Sequence, residues 1–273
     1  MIYAIGDVHG EADALRAVLL KLPVRPEDLV IFVGDLINRG GLDPFDCVEQ
    51  VIAFDRCRKV CLQGNHEEAM LHFLESGDLS AMNGMDCQNT LDAYARAGYP
   101  IRPGDPGSIP ESHQRFYFQA DPWTLPFYIT DSYIFTHAGW DLSRPLQSQV
   151  QERWRWGKVT GVEDAVWEQT VVRGHTPMPK VTFAKTKRYI GIDTGCGLGG
   201  WLSAVALESG KTLPPQPSLK GGRREDTPAT MATRQDGPTS ATKGNQTASS
   251  AKPKIYSARP QSFRPNWWQS MGY

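Results

Sequence analysis

The sequence has no apolar run near the roughly 20 residues that a membrane-spanning helix needs. Its N-terminus leads directly into a strand-like run, so we expect neither a signal peptide nor membrane attachment. Cysteines are few and odd in number, five in 273 residues, and none form a CxxC pair. Free thiols of this kind are typical of a reducing compartment. We therefore expect a cytoplasmic protein without disulfides.

The chain also lacks an overall charge bias, with a formal net charge of −1. The charge is unevenly spread. Up to Glu208 there are 19 Lys/Arg against 27 Asp/Glu, and from Ser209 onward ten against three. An acidic body argues against nucleic acid as its ligand. It agrees with a site built from carboxylates.

Large apolar residues are scarce between residues 209 and 265, where Pro, Ser, Thr, Gly, Lys and Gln dominate. Such a composition predicts a disordered basic tail. The last eleven residues differ, because they contain four aromatics: Phe263, Trp267, Trp268 and Tyr273. This end could dock on a partner, dock back on the body, or remain solvated.

What the chain does have is a repeated construction, a short apolar β run that ends in a glycine turn with Asp, Asn or His. The five turns are Gly6-Asp7-Val8-His9-Gly10, Gly34-Asp35 to Gly40, Gly64-Asn65-His66-Glu67, His137-Ala138-Gly139 and Arg173-Gly174-His175. Active sites and ligand-binding sites of α/β folds lie at the carboxyl ends of the strands. Imidazole, carboxylate and carboxamide are ligands for divalent ions. Five such ends favour a metal site.

The order of elements indicates an α/β fold. Helical periodicity at residues 11–22, 45–54 and 67–74 alternates with the first three strands, which predicts a parallel sheet with right-handed crossovers. The pattern breaks between residues 75 and 123, apart from a helix-like run at 87–97. We expect this insertion to form a lid over the site. Short strands return from residue 127, with helical patterns at 147–156 and 162–167.

In their order, the five turn motifs resemble the bacterial-type phosphoprotein phosphatase branch of the calcineurin-like metallophosphoesterases. The resemblance covers about residues 1–208. It implies two mixed β-sheets packed as a sandwich and flanked by helices, within a catalytic domain at 1–208. The remaining residues, 209–273, would form the tail.

The resemblance also implies a dinuclear metal centre and assigns its ligands. Asp7 and His9 would bind the first ion, and Asp35 would bridge both. Asn65, His137 and His175 would complete the second ion, although Asn65 could instead cap the following helix. The donor set accepts Mn, Fe or Zn, and we expect Mn. A hydroxide held between the ions would attack phosphorus directly.

Two further roles follow from the resemblance. Arg39 would bind phosphate oxygens bidentately, and His66 would protonate the leaving oxygen. Members of the family use a second basic residue, for which Arg155, Lys158 and Arg173 are the candidates. His72 and His113 match no motif, and we expect both to be surface or helix-face polar residues.

Asn38 departs from the family pattern, because protein phosphatases of this branch usually carry Asp there. An Asp would stabilise the charged form of His66. Asn38 could accept a hydrogen bond from the ring but supplies no negative charge. We therefore expect weaker acid catalysis and a preference for good leaving groups.

The motifs lead to a serine/threonine protein phosphatase, with dual specificity for tyrosine as an extension. The partner would be a phosphorylated protein or peptide, and we expect a monomer. The alternative is a symmetrical diadenosine tetraphosphate hydrolase or a hydrolase of another small phosphoanhydride, since the tetraphosphate hydrolases also lack the Asp. A third interpretation is a metal-bearing scaffold that works through its tail.

Overall fold

The computed structural model describes residues 1–118, 124–209, 253–261, 264, 266 and 269. All of them belong to one compact unit. The unit contains two mixed β-sheets with helices on their outer faces, which confirms the predicted α/β sandwich.

The first sheet has six strands in the order β11-β10-β1-β2-β3-β4. Strands β1 to β4 are parallel, whereas β10 and β11 run antiparallel to their neighbours. The bounds are Ile2–Ile5 (β1), Leu29–Phe32 (β2), Arg58–Leu62 (β3), Thr124–Leu125 (β4), Leu202–Leu207 (β10) and Lys254–Ala258 (β11).

The second sheet has five strands in the order β5-β6-β7-β9-β8. Strands β6, β7 and β9 are parallel, and β5 and β8 are antiparallel edges. The bounds are Phe127–Ile129 (β5), Tyr133–Thr136 (β6), Thr170–Arg173 (β7), Thr182–Ala184 (β8) and Tyr189–Gly191 (β9).

Six α-helices complete the described part of the chain. They are Ala12–Lys21 (α1), Pro44–Ala53 (α2), Asn65–Ser76 (α3), Gln88–Arg96 (α4), Glu111–Phe118 (α5) and Arg153–Trp156 (α6). No helix among these residues is long and apolar enough to cross a bilayer. All five cysteines are free thiols.

Alternation along the strands divides the core into layers. In β1, Ile2 and Ala4 face the second sheet, where they meet Phe135 and Val172. Tyr3 and Ile5 face the helices instead. On the far side of the second sheet, a third cluster contains Trp140, Trp154 and Val171. Both sheets are thus buried on two faces, and their parallel strands end at the same edge.

Strand β11 contradicts the predicted end of the catalytic domain at residue 208. Residues 254–258 pair with β10 along five positions, and the Lys21 Nζ donates to the Ser257 carbonyl at 2.8 Å. Beyond the strand, the Gln261 amide donates to the Glu11 carboxylate and the Arg264 amide to the Gly199 carbonyl. Within this strand Ala258 is buried and Tyr256 packs edge-on against Tyr3, whereas Lys254 and Ile255 are exposed. Residues 210–252 and the four terminal aromatics lie outside the described residues.

The insertion is more helical than the sequence predicts. Helices α4 and α5 pack on α2, and α5 also contacts α3. His113 on α5 is fully buried, so the expectation of a surface histidine is wrong for it. It becomes buried because its two ring nitrogens find partners: Tyr94 Oη at 2.7 Å and the Glu49 carboxylate at 2.6 Å.

The predicted helix at residues 162–167 is absent. The Val166 amide instead donates to the Leu142 carbonyl, and the Trp167 indole donates to the Arg144 carbonyl. Hydrogen bonds to a distant loop thus replace those of a helix. This segment covers the outer face of the second sheet.

Candidate metal centre

The ends of β1, β2, β6 and β7 and the start of α3 bring six predicted ligands to one place. Two groups of ligand atoms within 4.8 Å of one another contain four of the six, namely His9, Asp35, His137 and His175, and Asp35 belongs to both groups. The first group is Asp35 with His9 and His66, and the second is Asp35 with His137 and His175. This shared position agrees with the bridging role that the resemblance implies for Asp35.

The backbone of these turns is unusual. Among the described non-glycine residues, eight have positive φ, and five of them are predicted site residues: His9, Asp35, Asn38, Arg39 and His175. Left-handed backbone is costly for such residues and persists where surrounding structure fixes it. The strain therefore points to the same strand ends as the sequence motifs.

Backbone carbonyls orient two of the imidazoles. His9 Nδ1 lies 3.0 Å from the Ile37 carbonyl, and His137 Nδ1 lies 2.9 Å from the Val33 carbonyl. An Nδ1–H that donates to a carbonyl leaves Nε2 as the ligand atom. The Nε2 atoms then lie 3.7 Å (His9) and 3.4 Å (His137) from Asp35 Oδ2. Both rings thus point Nε2, the atom that would bind an ion, toward the Asp35 carboxylate.

Asn65 supplies an oxygen to the second group. Its Oδ1 lies 2.9 Å from His137 Nε2 and 3.0 Å from His175 Nδ1. The N-cap position of α3 is Gly64, so the Asn65 carbonyl faces the imidazoles rather than the helix amides. Three side chains from three different elements thus converge on one small volume.

Asp7 is the sixth predicted ligand, and its partners leave one oxygen unused. Oδ2 accepts the His175 amide at 2.9 Å, whereas the buried Oδ1 has no hydrogen-bond partner. Gly174 lies so close that a Cβ there would collide with this oxygen. A buried carboxylate oxygen without a partner is costly unless a cation binds it.

The pKa values of the buried groups also favour a bound cation at this centre. Burial raises the pKa of Asp7, and the Asp193 carboxylate raises it further. Burial lowers the pKa of His137, but Asp35 outweighs burial and raises it to about 10. Burial and the charge of His137 lower the pKa of His175 to about 4. Crowded buried carboxylates among imidazoles fit divalent cations, which would offset the carboxylate charge.

The general-acid candidate His66 is held by Asn38. Asn38 Nδ2 lies 3.1 Å from His66 Nδ1. Thr90 Oγ1 accepts a hydrogen bond from the Asn38 backbone N–H at 2.9 Å and donates one to the side-chain oxygen Oδ1 of Asn38 at 2.6 Å. Because the side-chain oxygen of Asn38 accepts from Thr90, its side-chain nitrogen faces the ring and donates to His66 Nδ1. The expectation that Asn38 accepts a hydrogen bond from His66 is therefore wrong. The ring keeps its proton on Nε2, which lies 3.8 Å from Asp35 Oδ2.

Arg39 follows Asn38 in the same loop. Its amide donates to the Asp86 carbonyl, and the Asn89 side chain donates to its carbonyl. Its guanidinium is close enough to lower the pKa values of His9 and His66, after burial as the main cause for each. The buried Nε has no hydrogen-bond partner. Arg39 therefore brings positive charge to the centre.

The three candidates for a second phosphate-binding residue differ in their contacts. Arg173 donates to the Gly174 carbonyl and the Thr176 hydroxyl, and it lies over the Tyr189 ring at 4.7 Å. Arg155 pairs with Glu68. The Lys158 backbone lies against Gly139, and its side chain is exposed. Arg173 is thus committed to contacts within its own turn.

Glu67 belongs to the Gly64-Asn65-His66-Glu67 turn, and the structure gives it a positioning role that the motif does not reveal. Its Oε2 accepts the amides of Asp35 (2.8 Å) and Gly64 (3.0 Å), and its Oε1 accepts the Leu36 amide at 2.8 Å. Burial and the Asp35 charge raise its pKa to about 7. Glu67 therefore joins the Asp35 turn to the start of α3.

Asp193 is a second acidic residue of the centre that lies outside the five turn motifs. It is buried beside Asp7 and accepts the Gly195 amide at 2.8 Å. The following glycine-rich loop packs on the centre, because a Cβ on Gly197 would collide with the His9 side chain. The signal was present, since the apolar run 189–192 also ends in Asp and then Gly. It is a sixth copy of the construction that defined the other turns.

Comparison with known proteins gives relatives of two kinds. The bis(5'-nucleosyl)-tetraphosphatase PrpE [asymmetrical] of Bacillus velezensis is 24% identical over 243 residues, covering 79% of this chain and 92% of that protein. Serine/threonine-protein phosphatase 1 of Salmonella typhimurium is 27% identical over 223 residues, covering 76% and 92%.

A solved structure of similar fold is the cold-active protein-tyrosine phosphatase of a psychrophilic Shewanella species. Its TM-score is 0.52 at 16% identity, covering 74% of each chain. A likeness at this identity concerns the fold alone. The calcineurin-like phosphoesterase family (Metallophos) matches residues 1–198, which include all six predicted ligands. With its strand-end ligands gathered around Asp35, the chain belongs to the calcineurin-like phosphoesterases.

Proposed function

We propose that this chain is a metal-dependent protein phosphatase that hydrolyses phosphoserine, phosphothreonine and phosphotyrosine. The observation that supports this proposal most strongly is that, among the residues the structure describes, most arginines near the centre already have partners. A phosphomonoester brings one phosphoryl group, whereas a dinucleoside tetraphosphate brings a chain of four. The second kind of substrate requires several basic side chains in reach of the centre.

The arginines of the insertion are already paired. Arg102 binds Asp105 with two hydrogen bonds, at 2.9 and 2.6 Å, and Arg115 binds Glu111 at 3.0 Å. Arg96 donates to the Leu42 carbonyl at 2.6 Å. Closer to the centre, Arg155 pairs with Glu68. Among the described arginines, Arg39 is thus the one best placed for substrate, and a single guanidinium suits a single phosphoryl group.

Each residue then has a definite task. When bound, divalent ions at this centre would neutralise phosphoryl charge and lower the pKa of a bound water. Arg39 would hold two phosphoryl oxygens. His66 would donate its Nε2 proton to the leaving oxygen, and Asn38 and Thr90 keep that proton on Nε2. A neutral imidazole is a weaker acid than an imidazolium, so leaving groups of low pKa would be favoured.

The second candidate function is hydrolysis of dinucleoside tetraphosphates. It is favoured by the names of the PrpE relatives, which cover most of this chain. Those relatives are named asymmetrical, whereas the turn motifs leave symmetrical cleavage as the alternative. Hydrolysis of a phosphoanhydride releases a phosphate group, which is a good leaving group. The Asn38 arrangement is therefore compatible with these substrates as well.

Side-by-side turnover separates the two functions. The purified, Mn²⁺-loaded full chain is given phosphoserine/phosphothreonine peptides, a phosphotyrosine peptide and diadenosine tetraphosphate. We expect kcat/KM to be highest on a phosphopeptide, and the D35N variant to lose turnover of all three. A preference for the dinucleotide would replace the proposed function with the second candidate.

A further inference from the structure

We infer that Trp156 is a specificity-determining residue whose indole packs against the aromatic ring of an aryl phosphate, the class that includes phosphotyrosine. This inference rests on the proposed function. Trp156 ends α6 and is 45% exposed. Its indole centroid lies 6.0 Å from the imidazole of the candidate ligand His175, at an interplanar angle of 80°. A large exposed aromatic surface therefore borders the metal centre directly.

The backbone of α6 is fixed to the turn that carries His137. The Ala138 amide donates to the Trp154 carbonyl at 2.7 Å, and the Gly139 amide donates to the Arg153 carbonyl at 3.0 Å. The Thr136 hydroxyl also bonds the Trp154 carbonyl, at 3.1 Å. These contacts place the short helix at a set distance from the centre.

Two tryptophans in α6 have different environments. Trp154 is buried in the outer core of the second sheet, with its ring centroid 4.8 Å from that of Phe127. Trp156 follows two positions later, so its side chain points away from that core. Packing of α6 therefore accounts for Trp154 and leaves the exposure of Trp156 unexplained.

The indole of Trp156 is held in place despite its exposure. Its Nε1 donates to Glu68 Oε2 at 2.9 Å, and Arg155 pairs with the other oxygen of the same carboxylate. Glu68 lies on α3, three residues after Asn65. Trp156 thus contacts both α3, which carries the candidate ligand Asn65, and the imidazole of the candidate ligand His175. A rigid aromatic side chain loses little entropy on binding.

The position of Trp156 beside the metal centre determines which substrate ring the indole can contact. In an aryl phosphate the ring is bonded to the bridging oxygen, so a phosphoryl group at the centre brings the ring to the adjoining wall. In a dinucleotide a ribose and further phosphates separate the base from the attacked phosphorus. Phosphoserine has no ring. The indole therefore favours phosphotyrosine, in the same direction as the leaving-group preference from Asn38.

Kinetics on small substrates test this inference. W156A is compared with W156F on phenyl phosphate and on free phosphoserine, with phenylphosphonate and methylphosphonate as inhibitors. Aromatic pairs contribute about 0.5–1.5 kcal/mol, so we expect KM for phenyl phosphate and Ki for phenylphosphonate to rise roughly twofold to tenfold in W156A. We expect kcat, KM for phosphoserine and Ki for methylphosphonate to stay within about twofold of wild type. W156F keeps a ring and should lie between.

F183A is the matched control, because Phe183 is similarly exposed but lies on β8. An equal loss on phenyl and alkyl compounds in W156A would overturn the inference. So would a loss confined to diadenosine tetraphosphate. Failure of the proposed function looks different: wild type would hydrolyse small esters but no phosphopeptide, and the phenyl-to-alkyl ratios would still decide the role of Trp156.

Discussion

Asn38 donates a hydrogen bond from Nδ2 to Nδ1 of His66 across 3.1 Å. The direction of this bond is set by Thr90, which occupies the amide oxygen. In N38D the new carboxylate would favour the protonated ring. We expect the ratio of kcat/KM on a phosphoserine peptide to that on phenyl phosphate to rise severalfold. T90V serves as the control, because it removes the hydrogen bonds of Thr90 to Asn38 without adding charge. An unchanged ratio in N38D would contradict this role for Asn38.

Glu67 joins the Asp35 turn to α3 through three backbone amides. In E67Q one oxygen becomes an amino group that faces amide hydrogens, so at least one bond is lost. A buried donor without a partner costs about 1–3 kcal/mol. We expect the free energy of unfolding to fall by that amount, together with turnover on every substrate. Denaturant unfolding measures the first effect. E75Q, on the exposed end of α3, should leave both unchanged.

We expect His113 to make the free energy of unfolding depend on pH. Burial lowers its pKa, and Glu49 only partly opposes this. The folded state therefore resists protonation that the unfolded state accepts below its pKa of about 6.5. The contribution of neutral His113 is present above that pH and is lost as the pH falls toward the folded-state pKa.

Thermal unfolding between pH 7.5 and 5 measures this dependence. We expect the fall in Tm on acidification to be shallower in H113Q than in wild type. H72Q is the control, because the His72 side chain is about half exposed. Identical pH profiles for H113Q and wild type would contradict a titrating role for His113.

The strand β11 makes the C-terminus part of the fold. Replacement of residues 210–252 by a short flexible linker keeps β11, whereas a stop after Ser209 removes it. Loop length has a small effect on stability, but loss of a paired strand exposes the Tyr3 side of the core. We expect the linker variant to keep its Tm and the truncated chain to lose more than about 5 °C. Equal Tm values in the two variants would contradict this account.

The sequence predicts the centre better than its surroundings, and the reason is local. Asp7, Asp35 and His175 each follow a strand and precede or follow a glycine, so a short window contains the signal. Glu67 and Thr90 act through contacts with distant turns, and no window around them shows what they bind. Periodicity likewise finds α1 and α2, but it predicts a helix at 162–167, where contacts with residues 142–144 prevail.

Strand β11 is hidden in the sequence because the composition of residues 209–265 is dominated by Pro, Ser, Thr and Gly. Five residues, of which Ile255, Tyr256 and Ala258 are apolar, carry little weight beside the Pro, Ser and Thr that precede them. Their partner is β10, whose Ala206 pairs with Lys254, 48 residues later in the chain. Such a pairing follows from the unfilled edge of the sheet, which the sequence alone does not display.

The most direct test of the central claim is a metal titration of the apoprotein. Chelator-treated protein receives increments of Mn²⁺ while bound metal, Tm and phenyl phosphate turnover are followed together. We expect turnover to appear on addition and to level off at two ions per chain. Tm should rise because the ions bind the folded state. In D35N, which removes the shared carboxylate, both gains should be lost, whereas D131N at an exposed turn should behave as wild type. Full turnover without added metal, or a D35N variant that gains as much as wild type, would contradict a dinuclear phosphoesterase centre.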